Sequence, residues 1–223
     1  MRERVVIKWG GGLITNKDQM KSVRSEIIDQ LADQLESCVS AGVDVVLVHG
    51  AGSFGHLKAK AYRLAEGRCS PEEVPSEMTQ DEAVAAVRED MMELNQHVLD
   101  ALTKYDVSAV SLSPHHWARN TGPEFEGDLS MFAAAPQGIV MVTYGDVVDC
   151  DGVAEFGILS GDDLVYRLAT ELPGVKRVVF AMGGVEGVLS SRPTGENDEQ
   201  RLMPTLSRDE VLVGEEAAHV DVR

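Results

Sequence analysis

Residues 43–56 read Val43-Asp-Val-Val-Leu-Val-His49 and pass without a break into Gly50-Ala-Gly-Ser-Phe-Gly-His56. The first half is a nearly continuous apolar run, as expected of a strand buried in a parallel sheet. The second half places glycine at 50, 52 and 55. Glycines at that point let successive backbone N–H groups converge on an anion with no Cβ in the way, and a following helix adds its positive end. The same arrangement stands near the amino end, where the short strand Val5–Lys8 runs into Gly10, Gly11 and Gly12.

The flanking segments fit this pattern. Lys21–Ala41 carries Val23, Ile27, Leu31, Leu35 and Val39 at four-residue intervals, one face of a helix, with Gly42 placed to end it. A further helix is predicted to start around Leu57–Tyr62, and a long one over Asp81–Tyr105, with Val84, Val87, Met91, Leu94, Val98 and Leu102 along one side. Strands are predicted over Val107–Ser113, Ile139–Tyr144 and Val175–Met182, with a short, locally paired one at Phe156–Ser160. Gly161-Asp162-Asp163 opens a helix through Leu172. Arg68–Gln80 and His115–Asp128 read as loops, and the tail from Ser190 is polar, with a helix expected around 208–213. Strands alternating with helices imply an α/β fold, a mainly parallel central sheet sandwiched between helices.

Thirty-seven acidic residues against 20 basic ones give a net charge of −17. A surface that acidic repels phosphate backbones and anionic lipid, so no nucleic-acid or membrane partner is expected. Any phosphate ligand therefore needs a local positive site. Cys38, Cys69 and Cys150 form no CxxC pair and predict neither a disulfide framework nor a zinc site, which favours a cytoplasmic protein. Met1–Arg4 leads straight into a strand, so no signal peptide is expected, and no apolar run approaches the roughly 18 residues of a membrane span.

Gly50-x-Gly52-x-x-Gly55 also satisfies a dinucleotide-binding fingerprint. That reading requires an acidic residue about 20 positions on, at the end of a second strand. Glu72, Glu73 and Glu77 fall near that distance, in a polar, proline-containing stretch with no strand before it. A GxxxxGK[ST] loop is absent too. Two glycine turns, each beside a cation or titratable group, point instead to two phosphate sites.

Lys8-x-Gly-Gly-x-x-Ile14-Thr15-x-Lys17, Val48-His49-Gly-Ala-Gly-Ser-Phe-Gly-His56, Tyr144-Gly145-Asp146-Val147 and Leu159-Ser160-Gly161-Asp162-Asp163 occur in that order. Together they resemble the isopentenyl phosphate kinases of the amino-acid-kinase type, over residues 5 to about 180. The Ser-Phe-Gly-His ending is the most specific part; kinases that modify fosfomycin share a similar turn. The resemblance implies a three-layer kinase fold, ATP and Mg²⁺ as cofactors, a small phosphorylated substrate and a homodimer. It divides the chain into an acceptor lobe, 1–160, and a partial nucleotide lobe, 161–223, sharing one sheet. Lys8, Lys17, His56 and Asp162 become the catalytic set. The acceptor phosphate falls to Gly50, Ala51, Gly52, Ser53, Gly55 and His56, with Gly145 and Gly161. The nucleotide falls to Lys8, Gly10, Gly11, Gly12, Lys17, Asp163 and Gly187. No residue is assigned to a metal.

Each residue also has a plainer reading. His56 suits a helix-start contact, Asp162 a helix N-cap or first-turn carboxylate, and Asp146 a turn. His115, His116 and Trp117 read as loop packing, and Met78, Met91 and Met92 as core. The resemblance weakens on the ATP side. Where relatives carry Thr-Asp-x-x-Gly, this chain has Met182-Gly-Gly-Val-Glu-Gly187, Gly12 replaces a usual serine, and Val220-Asp-Val-Arg223 stops where a lysine-bearing motif begins. The expectation is a shortened carboxyl part. A fragment, a short form that binds nucleotide differently and a non-catalytic phosphate-binding relative all satisfy it.

Overall fold

The computed structural model describes residues 3–16, 19–184, 187–189 and 202–205. The chain forms two compact units, Met1–Ala181 and Met182–Arg223. In the second, Leu189 and Leu202 form an antiparallel bridge and the Met203 N–H donates to the Val188 carbonyl at 2.7 Å.

The first unit begins with β1 (Arg4–Trp9), the single turn α1 (Gly11–Ile14), α2 (Ser25–Ser40), β2 (Asp44–His49) and α3 (Gly52–Ala61). The long helix α4 (Gln80–Lys104) follows, then β3 (Ala109–Ser111), β4 (Ala118–Arg119), β5 (Glu126–Gly127) and α5 (Ser130–Ala133). It closes with β6 (Val140–Tyr144), β7 (Asp146–Asp149), β8 (Phe156–Leu159), α6 (Gly161–Glu171) and β9 (Val175–Ala181).

Five strands form an all-parallel sheet in the order β3-β6-β2-β1-β9. Side chains alternate across a strand, and here the alternation builds two cores. Val5, Ile7, Trp9, Val45 and Leu47 face one way and pack with Ile28, Leu35, Met91 and Leu94 of α2 and α4. Val6, Val46, Val48 and Met141 face the other way and pack with Leu164 and Leu168 of α6. Helices therefore cover both sheet faces. A smaller sheet, β5-β4-β7-β8, carries the local β7–β8 hairpin.

Several boundaries differ from the sequence expectation. Helix α2 starts at Ser25 rather than Lys21 because Val23 bridges back to Thr15 and Lys21 adopts φ 50°. Helix α3 starts inside the glycine motif, at Gly52, so Ser53 to His56 are helical. Helix α4 is set by a capping box between Thr79 and Glu82, which ends the preceding loop. The expected strand from Val107 shrinks to the short edge strand β3. The helix expected around 208–213 lies outside the described residues. Among the described residues no helix is long and apolar enough to cross a membrane.

Candidate active site

Parallel pairing aligns Trp9 with His49, which brings the ends of β1 and β2 level. The turns that follow then touch backbone to backbone. A Cβ on Gly11 would lie 2.2 Å from the Gly52 nitrogen, and one on Gly50 would lie 2.7 Å from the Gly11 nitrogen. A Cβ on Gly52 would meet the Gly11 carbonyl at 2.6 Å and Thr15 Oγ1 at 2.1 Å. Glycine is required here by packing. Thr15 stitches the turns together: its hydroxyl donates to the Gly11 carbonyl at 2.8 Å and accepts from the Ser53 N–H at 3.0 Å.

Two more turns close on the same edge. The Gly145 N–H donates to the His49 carbonyl at 3.1 Å, and a Cβ on Gly145 would lie 3.2 Å from the Gly161 nitrogen. Gly161 opens α6 beside Lys8, whose Cε stands 3.5 Å from where a Gly161 Cβ would be. Lys8 Nζ ends 2.6 Å from Asp162 Oδ1; the lysine side chain is 13% exposed and the aspartate 66%. Ser160 caps the helix and Asp163 is its partner: Ser160 Oγ accepts from the Asp163 N–H at 3.1 Å and donates to its carboxylate at 2.7 Å. The adjacent acids therefore have separate partners, Asp163 the helix start and Asp162 the lysine.

Lys8 shares the strand face of Val6, on the α6 side, whereas α3, which carries His56, packs on α4 across the sheet. Between them run the glycine turns at the carboxyl edge. His56 is exposed. His49, at the other end of the same motif, is fully buried, stacks on Tyr144 at 5.0 Å and contacts Asn95 Oδ1 and the Gly50 carbonyl at 3.3 and 3.2 Å. Burial pushes the His49 imidazole down to about 4, so it stays neutral under the Gly50 turn.

Asp146 is not a surface turn residue. It starts β7, is 2% exposed, and accepts from the Val147 N–H at 2.8 Å while pairing with His115 Nδ1 at 2.6 Å. His116 leans on His115 with ring centroids 4.1 Å apart, and Trp117 packs edge-on against Phe125 and Phe132. Met91 is fully buried, Met78 packs against the same core, and Met92 is 41% exposed. A cavity of about 350 Å³ between α4 and the β7–β8 hairpin, with Arg68, Arg88 and Phe156 in its wall, contains none of the predicted residues. Lys17 lies outside the described residues, and Gly187 belongs to the second unit.

The structure thus brings Lys8, Gly10–Gly12, Gly50–Gly55, Gly145, Gly161 and Asp162 to one strand edge. Sequence reasoning gave no role to Thr15, although it stands in a quoted motif, nor to Asp90, whose partners are far away in the chain. Side chains and N–H groups of this kind hold phosphates and neutralise charge during phosphoryl transfer.

The sequence matches the amino acid kinase family over residues 3–221. It is 30% identical over 211 residues to the isopentenyl phosphate kinase of Methanothermobacter thermautotrophicus, covering 93% of this chain and 77% of that protein. With the isopentenyl phosphate kinase of Haloferax volcanii the identity is 36% over 192 residues, covering 84% and 71%. An X-ray structure of isopentenyl phosphate kinase superimposes with a TM-score of 0.81 at 28% identity, over 95% of this chain and 84% of that one. Glycine turns, Lys8–Asp162 pair and overall likeness agree: the chain belongs to the amino acid kinase family, among its isopentenyl phosphate kinases.

Proposed function

We propose that the chain transfers the γ-phosphoryl group of ATP to isopentenyl phosphate, giving isopentenyl diphosphate and ADP. The contact of the two glycine turns, with Lys8 rising beside them, carries this reading. It provides two anion cradles separated by no more than packed backbone, as donor and acceptor phosphates require.

A phosphate oxygen of the acceptor attacks the γ-phosphorus as the bond to the β,γ-bridging oxygen breaks, and the electron pair leaves on ADP. A phosphomonoester has its second pKa near 6, so the attacking oxygen is largely ionised at neutral pH and needs no base. Lys8 and Lys17 offset the charge on the transferred group, and the backbone of Gly10–Gly12 lines its oxygens. Asp162 orients Lys8 by a charge-assisted hydrogen bond. Gly50–Gly55 and His56 hold the acceptor phosphate, which spans the sheet edge between the Lys8 face and the α3 face.

Among the described residues no three His, Cys, Asp or Glu side chains assemble a metal site. Mg²⁺ would enter with ATP, held by its phosphates, and would supply charge neutralisation there. Residues 1–160 form the acceptor side and 161–223 contribute to the nucleotide side. A cytoplasmic homodimer completes the proposal, with chromatographic mass as its check.

Phosphorus NMR of ATP with isopentenyl phosphate and the purified chain tests the reaction. A new diphosphate doublet pair appears with wild type and is strongly reduced in Lys8→Ala and His56→Ala. Equal rates in all three overturn the assignment. Turnover of fosfomycin in preference to isopentenyl phosphate moves the activity to another small phosphonate kinase.

A further inference from the structure

Asp90 is a carboxylate on α4 with a side chain only 8% exposed, and its two oxygens serve two separate stretches of chain. Lys58 Nζ reaches Oδ2 at 2.6 Å, and Lys21 Nζ reaches Oδ1 at 2.9 Å. Glu93, one turn further along α4, also pairs with Lys21. Lys58 sits on α3 two residues after His56. Lys21 belongs to the segment between Thr15 and Val23, and that segment grips the acceptor turn: the Lys21 N–H donates to the Ser53 carbonyl at 3.2 Å and the Ser22 N–H to Ser53 Oγ at 3.3 Å. Its own closure is fixed by the Asn16 N–H to the Ser22 carbonyl, 2.9 Å, and the Arg24 N–H to the Ile14 carbonyl, 2.8 Å.

We infer that Asp90 is a positioning residue for the acceptor phosphate, acting through Lys21 and Lys58 to fix Ser53 and the His56-bearing turn of α3 against α4. This rests on the reading that Gly50–His56 holds the acceptor. A buried carboxylate paired with two ammonium groups has one low-cost arrangement, because any movement leaves a charge without its partner. Lys21 is held in its charged form by Glu93 and Asp90. Both lysines are thereby committed to anchoring and are not available as phosphate ligands. The clamp touches neither Lys8 nor Asp162, and its direct contacts are to the Ser53 turn and α3, so its loss acts first on acceptor binding.

The test compares wild type, Asp90→Asn, Asp90→Glu and Lys21→Ala by steady-state kinetics and by hydrogen exchange of the peptides spanning 15–23 and 51–60. Asp90→Asn is expected to raise KM for isopentenyl phosphate about tenfold, with a smaller change in KM for ATP. Asp90→Glu restores most of the loss because it keeps the charge, and Lys21→Ala, at a partly exposed position, shifts the same constant in the same direction. Exchange at Ser22 and Ser53 speeds up in Asp90→Asn. An unchanged or lowered acceptor KM overturns the proposal, the latter by showing that the freed lysines bind phosphate. Equal losses for ATP and acceptor overturn it as well. If wild type fails to phosphorylate isopentenyl phosphate, the functional reading falls, and the exchange comparison still decides the clamp: unaltered exchange in Asp90→Asn and Lys21→Ala refutes it. Should Asp90→Asn not fold, Lys21→Ala carries the same decision.

Discussion

Lys8 Nζ stands 2.6 Å from Asp162 Oδ1, joining the end of β1 to the first turn of α6 across 154 residues of sequence. Because Asp162 is two-thirds exposed, the pair is worth about 1 kcal/mol or less to folding. In the proposed mechanism its importance lies in aiming Lys8. Lys8→Met should lower kcat by about 10²–10³-fold, the loss typical of one preorganised donor, and Asp162→Asn by about tenfold. Thermal unfolding of Asp162→Asn should stay within a few degrees of wild type. A melting temperature that falls with activity in proportion would reassign the pair to structure.

His56 projects from α3 into solvent, so His56→Ala should leave denaturant stability unchanged. The kinetic effect should fall on the acceptor: KM for isopentenyl phosphate rises by about tenfold or more, while KM for ATP stays within error. His56→Gln, which keeps an N–H donor, should recover part of the loss. Substrate-saturation curves for both substrates check this.

Gly11→Ala and Gly50→Ala each force a methyl against backbone atoms that no rotamer can move, at 2.2 and 2.7 Å. Each should cost roughly 1–3 kcal/mol by overpacking and reduce activity beyond the loss in folded protein. Gly122, at φ 81° with open space around it, provides the control. Gly122→Ala should show only the backbone penalty, on the order of 1 kcal/mol, with full specific activity. Urea titrations and specific activities separate the two cases.

His49 gives a pH dependence. Its imidazole is held at about 4 in the fold against 6.5 in a free chain, so between those values the unfolded state binds the extra proton. Stability is therefore unaffected above pH 6.5 and falls as pH drops toward 4, by up to roughly 3 kcal/mol from this group. His49→Asn should start lower at pH 7 and show a shallower loss between pH 6.5 and 4.5. The measurement is urea unfolding of both proteins across that range, where the difference between them isolates the imidazole from the titrating carboxylates.

The layered fold was legible because period-four and β-branched runs report burial directly: the Val43–His49 run became the central strand β2, and the Asp81–Tyr105 pattern became α4 within one residue at each end. The start of α2 was not legible, since Val23 fits a helical face equally well but is held by a bridge to Thr15. The convergence of the glycine motifs was readable from their positions after strands, whereas the division of labour between Asp162 and Asp163 depended on which carboxylate Ser160 would take. Thr15 and Asp90 stayed hidden for a different reason. A buried polar residue gets its meaning from partners 38 and 32 positions away, and no local pattern announces such partners. His115 and Asp146, 31 residues apart, are a third instance.

The abutting backbones of Gly11, Gly50 and Gly52 make the two turns a single steric object. A side chain gained at any one position must displace main chain in the other turn, so substitutions at 11, 50 and 52 cannot be explored independently in a directed-evolution library. Combinatorial variation must leave this interlocked trio, together with Thr15, as a fixed block.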